Sequence, residues 1–129
     1  MRLLLDSHVV IWLYQGDAKL GAEARETIGR PESQLFVSVA THWELGLKHA
    51  LGRLPLLEPL LQCLHRGLPL PGTETLSIHL PHVAVAIGLP PHHGDPFDRM
   101  LVAQAMAEEM TIVSHDRQFE AYGMPILWT

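Results

Sequence analysis

The sequence predicts an α/β domain with a mainly parallel central sheet of four or five strands, covered by helices on both faces. Three observations point that way. Short runs rich in Leu, Val and Ile ("RLLLD", "QLFVSVA", "TIVS") recur between segments of helical composition. The runs are continuously apolar, as in strands buried on both faces. The chain has 129 residues, 47% of them hydrophobic, which suits one compact domain over 1–129 with one real core.

Taken in order, "RLLLD" (2–6) reads as a buried strand closed by an acid. "SHVVIWLYQG" follows as a helix, with Ser7 as its N-cap and Gly16 near its end. "KLGAEARETIG" (19–29) has helical composition and a Gly stop. "QLFVSVA" (34–40) is β-branched and apolar, a second strand. "THWELGLKHALGRL" (41–54) and the leucine-rich "PLLEPLLQCLHRGL" (55–68) read as helices. "TLSI" (75–78) reads as a short strand and "HLPHVAVAIGL" (79–89) as a helix. A further helix runs from about Pro96 to Glu109, then come strands at "TIVS" (111–114) and "PILW" (125–128).

Composition excludes several classes of function. Nine Lys and Arg stand against 14 Asp and Glu, a net charge of −5. A chain that coats nucleic acid broadly is basic, so this balance points elsewhere. It leaves room for an enzyme that meets phosphate through a bound cation. The single cysteine, Cys63, rules out an intrachain disulfide and a cysteine-based zinc site, and it fits a reducing, cytoplasmic setting. No window is long and apolar enough to span a bilayer, and Asp6 and His8 interrupt the apolar N-terminal run, so a soluble protein is expected.

In a parallel sheet the functional crevice lies beyond the carboxyl ends of the strands. Asp6 closes the first strand and Asp116 follows "TIVS". Glu44 lies in the helix after the second strand, and Asp98 in the first turn of the helix before "TIVS". Local roles explain some of these acids. "THWE" is a capping-box pattern for Thr41 and Glu44. Asp95 suits an N-cap with Pro96 at the next position, and Asp98 then falls where the helix dipole favours an acid. Asp116 fits a turn. Asp6 is harder to explain, because an acid ending a buried strand is costly unless something pairs with it. Brought to one sheet edge, the four would repel one another unless protons or a cation neutralised them. All-oxygen ligands select hard ions, Mg²⁺ or Mn²⁺.

Four stretches, "LLLDSHVVIWL", "VSVATHWELGLK", "DPFDRMLVAQA" and "TIVSHDRQFEAYG", resemble in this order the PIN-domain nucleases, specifically the toxin branch of VapBC-type toxin–antitoxin modules. The resemblance covers nearly the whole chain and is weakest over 55–92. It implies a three-layer α/β/α domain whose acidic residues hold Mg²⁺ or Mn²⁺ and cleave RNA. Matched residue by residue, it makes Asp6, Glu44, Asp98 and Asp116 the catalytic acids and metal ligands, with Ser7 and Ser114 as supporting hydroxyls. Asp95 matches the "DPFD" form and is read mainly as a cap, with contact to the metal or its waters as a second reading. The implied reaction is attack of metal-activated water on an RNA phosphodiester, leaving a 5′-phosphate and a 3′-hydroxyl. The resemblance also implies a homodimer and a VapB-type antitoxin, in a cytoplasmic protein. Two rival readings are a PIN nuclease of RNA processing with no antitoxin, and an inactive module that binds protein through 55–68.

Other features read as structural. The histidines at 79, 82, 92 and 93 lack the HExxH spacing of a zinc site and read as solvated loop residues. Trp12, Trp43 and Trp128 read as core. Arg99 and Arg117 read as surface charges, with steering of phosphate as the alternative.

Overall fold

The structure, a computed structural model, describes residues 1–129. Strands β1 (Arg2–Leu5), β2 (Gln34–Ser38), β3 (Glu74–Leu76), β4 (Thr111–Ser114) and β5 (Ile126–Trp128) form one sheet in the order β3-β2-β1-β4-β5. Every pairing is parallel. Helices α1 (Ser7–Gln15), α2 (Ala22–Ile28), α3 (Val39–Ala50), α4 (Glu58–Arg66), α5 (Leu80–Gly88) and α6 (Pro96–Glu108) connect them.

Alternation along the strands divides the core between the two sheet faces. Leu3, Leu5, Val37 and Val113 face a cluster built with α1, α2, α3 and α4. Leu4, Phe36 and Ile112 face a second cluster, built with Leu101, Val102 and Ala105 of α6 and with Phe119. The result is the three-layer α/β/α arrangement. Leu3, Leu4 and Leu5 are all fully buried, each contributing on the order of 2 kcal/mol, so β1 is firmly anchored at the middle of the sheet.

The strand order places the site. From β1 the chain moves outward to β2 and β3, then returns to the other side of β1 for β4 and β5. The direction of winding therefore reverses between β1 and β4, where an α/β sheet leaves a crevice at its carboxyl edge.

Several local expectations need correction. Asp6, not Ser7, caps α1: its Oδ1 accepts from the Val9 amide at 3.0 Å. Strand β2 stops at Ser38, whose hydroxyl accepts from the Ala40 amide, and α3 begins at Val39. Thr41 is thus inside the helix, and the Thr41–Glu44 capping box does not form. Glu44 sits a turn deeper, 3% exposed, where a cap cannot account for it. The 19–29 segment is broken at Gly21, whose φ of +79° ends a short 3₁₀ turn before α2. The cap assigned to Asp95 holds, with its Oδ1 accepting from the Phe97 and Asp98 amides.

The 55–68 segment turns its apolar side inward. Leu60 is buried, and Leu56, Cys63 and Leu64 pack on the first cluster. Apolar exposure falls instead on α3, where Val39, Trp43 and Leu47 recur every four residues and Trp43 is 66% exposed. Trp12 and Trp128 are half-buried. No helix is long and apolar enough to cross a membrane.

Arg99 does neither of the things its sequence suggested. Its guanidinium donates to the carbonyls of Ala86, Leu89 and Pro90 at 3.0–3.1 Å, tying the end of α5 to α6. Arg99→Ala should cost about 1–3 kcal/mol, seen as a lower denaturant midpoint at unchanged slope. Arg99→Lys should restore less than half of that, since one ammonium cannot span the three carbonyls. Arg117 lies over the Trp128 ring, 4.2 Å from its centroid.

Candidate active site

One cavity of about 280 Å³ opens at the carboxyl edge of β1 and β4, and no hydrophobic residue lines it. Asp6, Glu44, Asp98 and Asp116 all do, together with Asp95 and Ser7. Four separate elements deliver the four acids. Asp6 comes straight from the end of β1, and its amide donates to the Val113 carbonyl on β4. Asp116 follows β4, with its Oδ1 accepting from the Gln118 amide. Glu44 reaches in from the second turn of α3, and Asp98 from the first turn of α6.

Ser114 joins two of the acids. Its hydroxyl donates to Asp6 Oδ2 and accepts from the Asp116 amide at 3.0 Å. Ser7 is buried in the first turn of α1 and lines the cavity.

Electrostatics mark the cavity as overloaded with negative charge. Burial raises the Asp6 carboxyl above its ordinary range, against the hydrogen bonds from Ser114 and Val9. Asp98 is pushed up to about 8, first by burial and then by the charges of Asp95, Glu44, Asp6 and Asp116. Lys48 supplies partial relief. Its Nζ lies 2.6 Å from Glu44 Oε2, and that bond holds the ammonium pKa above its ordinary value.

The residues fit a divalent cation by their chemistry. The acids offer hard oxygen donors. Glu44 Oε1 is buried with no hydrogen-bond partner, and the surroundings of Asp98 disfavour its charged form. A cation would answer both conditions. The acids share the cavity, yet no three His, Cys, Asp or Glu side chains stand close enough to close around one ion. Glu44 is drawn to Lys48 and Asp6 to Ser114.

The sequence did not reveal the histidines of the cavity. His93 is not a solvated loop histidine: only 6% of its side chain is exposed, and it lines the cavity beside Asp98. His82 was misread too. It is 1% exposed and pairs with Glu108 at 2.8 Å, locking α5 to α6 away from the acids. His8 and His115 stay exposed on the cavity rim, packed at tilted and edge-on angles with Trp12.

The comparisons agree with this architecture. The chain is 29% identical to Ribonuclease VapC22 of Mycobacterium tuberculosis over 124 residues, covering 95% of this chain and 93% of that protein. A solved VapBC2 complex from Rickettsia felis, bound to a DNA fragment from its promoter, matches with TM-score 0.69 at 14% identity. It covers 99% of this chain and 98% of its own. A toxin–antitoxin complex from Klebsiella pneumoniae matches with TM-score 0.66 at 16% identity, over 97% of this chain and 95% of its own. At such identities the structural likenesses are likenesses of fold. The sequence pattern of the PIN domain matches residues 3–124, so the chain belongs to the PIN-domain family.

Proposed function

We propose that this chain is a metal-dependent endoribonuclease and the toxin of a type II toxin–antitoxin pair. The observation that carries the reading is the cavity itself: four carboxylates from four elements, without apolar lining, at the switch point of a parallel sheet. The 29% identity to Ribonuclease VapC22 over nearly the full length supports RNA as the substrate.

Asp6, Glu44, Asp98 and Asp116 would hold Mg²⁺ or Mn²⁺, directly or through water. Bound there, such an ion activates water at neutral pH and offsets charge on the phosphate. The chain's own groups do the positioning. Ser114 holds the Asp6 carboxylate and the Asp116 backbone in one hydrogen-bonded unit. Asp95 keeps its oxygen on the α6 amides, so Asp98 is free to face the cavity. Lys48 pairs with Glu44 and brings a positive charge to the acidic cavity. No side-chain nucleophile is required, and the products carry a 5′-phosphate and a 3′-hydroxyl.

Two protein partners belong to the same reading, a second copy of the chain and a VapB-type antitoxin. The exposed α3 stripe of Val39, Trp43 and Leu47 offers apolar surface to a partner.

The test is incubation of the purified chain with RNA in Mn²⁺, in Mg²⁺ and in EDTA. Cleavage is expected only with a divalent ion, giving 5′-phosphate ends. Cleavage that survives EDTA would overturn the metal mechanism. No cleavage under any condition, with no ion bound in calorimetry, would favour the inactive protein-binding module.

A further inference from the structure

We propose that His93 is a nitrogen ligand of the divalent cation, making the cavity a mixed oxygen–nitrogen centre that favours transition-metal ions over Mg²⁺. This rests on the metal-dependent reading above and extends it to a residue that lies outside the four acids.

The ring is held rather than mobile. His93 Nδ1 lies 2.8 Å from the Tyr122 hydroxyl, and the rings of Phe119 and Tyr122 pack against it at centroid distances of 5.8 and 5.5 Å. With 6% of the side chain exposed, the imidazole has one direction left to act in. Its Nε2 is buried and has no hydrogen-bond partner. An orphaned buried nitrogen is costly, and this one stands beside a cavity full of acceptors.

The nearest of those acceptors is Asp98 Oδ2, at 3.5 Å from Nε2. That is too long for a sound hydrogen bond. It is the spacing of two donors sharing an ion. Donors each about 2.1 Å from one ion stand about 3.0 Å apart at a right angle and about 3.4 Å apart at a tetrahedral one. The second nitrogen completes the pattern. Histidines that bind metal commonly donate the other ring N–H to a fixed acceptor, which sets the tautomer. Here Nδ1–H donating to the Tyr122 oxygen leaves the Nε2 lone pair facing the cavity. Glu44 Oε1, also buried and unpartnered, lines the same space.

Such a donor set discriminates between ions. Mg²⁺ prefers oxygen and keeps its waters, whereas first-row transition ions gain from imidazole. Wild-type chain and His93→Gln should be titrated separately with Mn²⁺ and Mg²⁺ by calorimetry. In parallel, pulsed EPR should be run on Mn²⁺-loaded wild type carrying ¹⁵N-histidine. Nitrogen coupling that changes with the isotope is expected in the wild type. His93→Gln should weaken Mn²⁺ binding by about tenfold or more and Mg²⁺ binding far less. Tyr122→Phe, which keeps the ring and removes the oxygen at Nδ1, should weaken Mn²⁺ by about tenfold. Because His8 and His115 also line the cavity, the coupling is assigned to His93 by its persistence in a His8→Gln/His115→Gln double variant, which leaves the buried His93 untouched; coupling lost in that variant overturns the assignment. Mn²⁺ bound without nitrogen coupling overturns the assignment to His93 and leaves the carboxylate site standing. Failure of the wild type to bind either ion overturns both.

Discussion

Asp6→Asn should abolish RNA cleavage while leaving the fold intact, the largest effect expected of any single substitution here. Loss of even an outer partner of a metal ligand costs about 10–100-fold, so removal of the charge at Asp6 should cost at least about 100-fold in rate. The fold should survive because Asn keeps Asp6's cap on α1 and can still bond Ser114 with the direction reversed. Its amide oxygen can accept from the Val9 amide, and Asn is as good an N-cap as Asp. Its NH2 then stands where the carboxylate accepts from Ser114 and donates to the Ser114 hydroxyl oxygen instead. The buried charge, which the fold disfavours, is gone. The unfolding midpoint in metal-free buffer should therefore stay level or rise. Asp6→Ala makes the contrast, because it loses the cap at a cost of about 1 kcal/mol. An Asn variant that still cleaves RNA would remove Asp6 from the chemistry.

Asp98→Asn should make the metal-free protein more stable, and increasingly so as pH rises. Unfolded, an aspartate titrates near ~4; in the folded chain Asp98 does so at about 8. Between those values the folded chain keeps a proton that the unfolded chain has released. Wild-type stability therefore falls as pH climbs through that window and levels off above about 8. The Asn variant lacks this slope. Thermal unfolding in EDTA at pH 5 and pH 9 should show the variant's advantage growing with pH. In a chain of this length about 1 kcal/mol moves the midpoint by about 3–5 °C, so a gap of several degrees is expected at pH 9. Mn²⁺ should reverse the order. At a hundred times its Kd an ion adds about 2.7 kcal/mol, and the wild type should gain more of that than the variant. A clear loss of midpoint in EDTA would make Asp98 chiefly a helix-start residue.

The layers and the four acids were legible because both follow from patterns the sequence carries openly. Continuous apolar runs of three to five residues set between helical segments and turn residues read as strands buried on both faces, and Asp6 and Asp116 stand just past the ends of two of them, with Glu44 and Asp98 on the helices alongside. Helix starts were legible where chemistry was unambiguous, as at Asp95-Pro96. They were not where two residues competed. Ser7 and Asp6 can both cap a helix, and the choice went to Asp6 because its backbone is still extended and bonded to β4. Val39 prolonged an apolar run and so disguised the start of α3 at Ser38. His93 was missed for a different reason. Nothing local distinguishes it from its neighbour His92; its burial comes from Phe119 and Tyr122, which the sheet brings from the far side of β4. Trp43 erred the other way, since size suggests the core while its place on α3 faces outward.

The hydroxyl bridge between Asp6 and Asp116 also bears on the moment at which the protein can act. Asp6 and Ser114 are 108 residues apart along the chain, and β1 reaches its partner β4 only after both sheet neighbours on the other side have been made. A growing polypeptide on the ribosome thus carries Asp6 early, yet the four acids can share one cavity only once β4 has emerged and docked against β1.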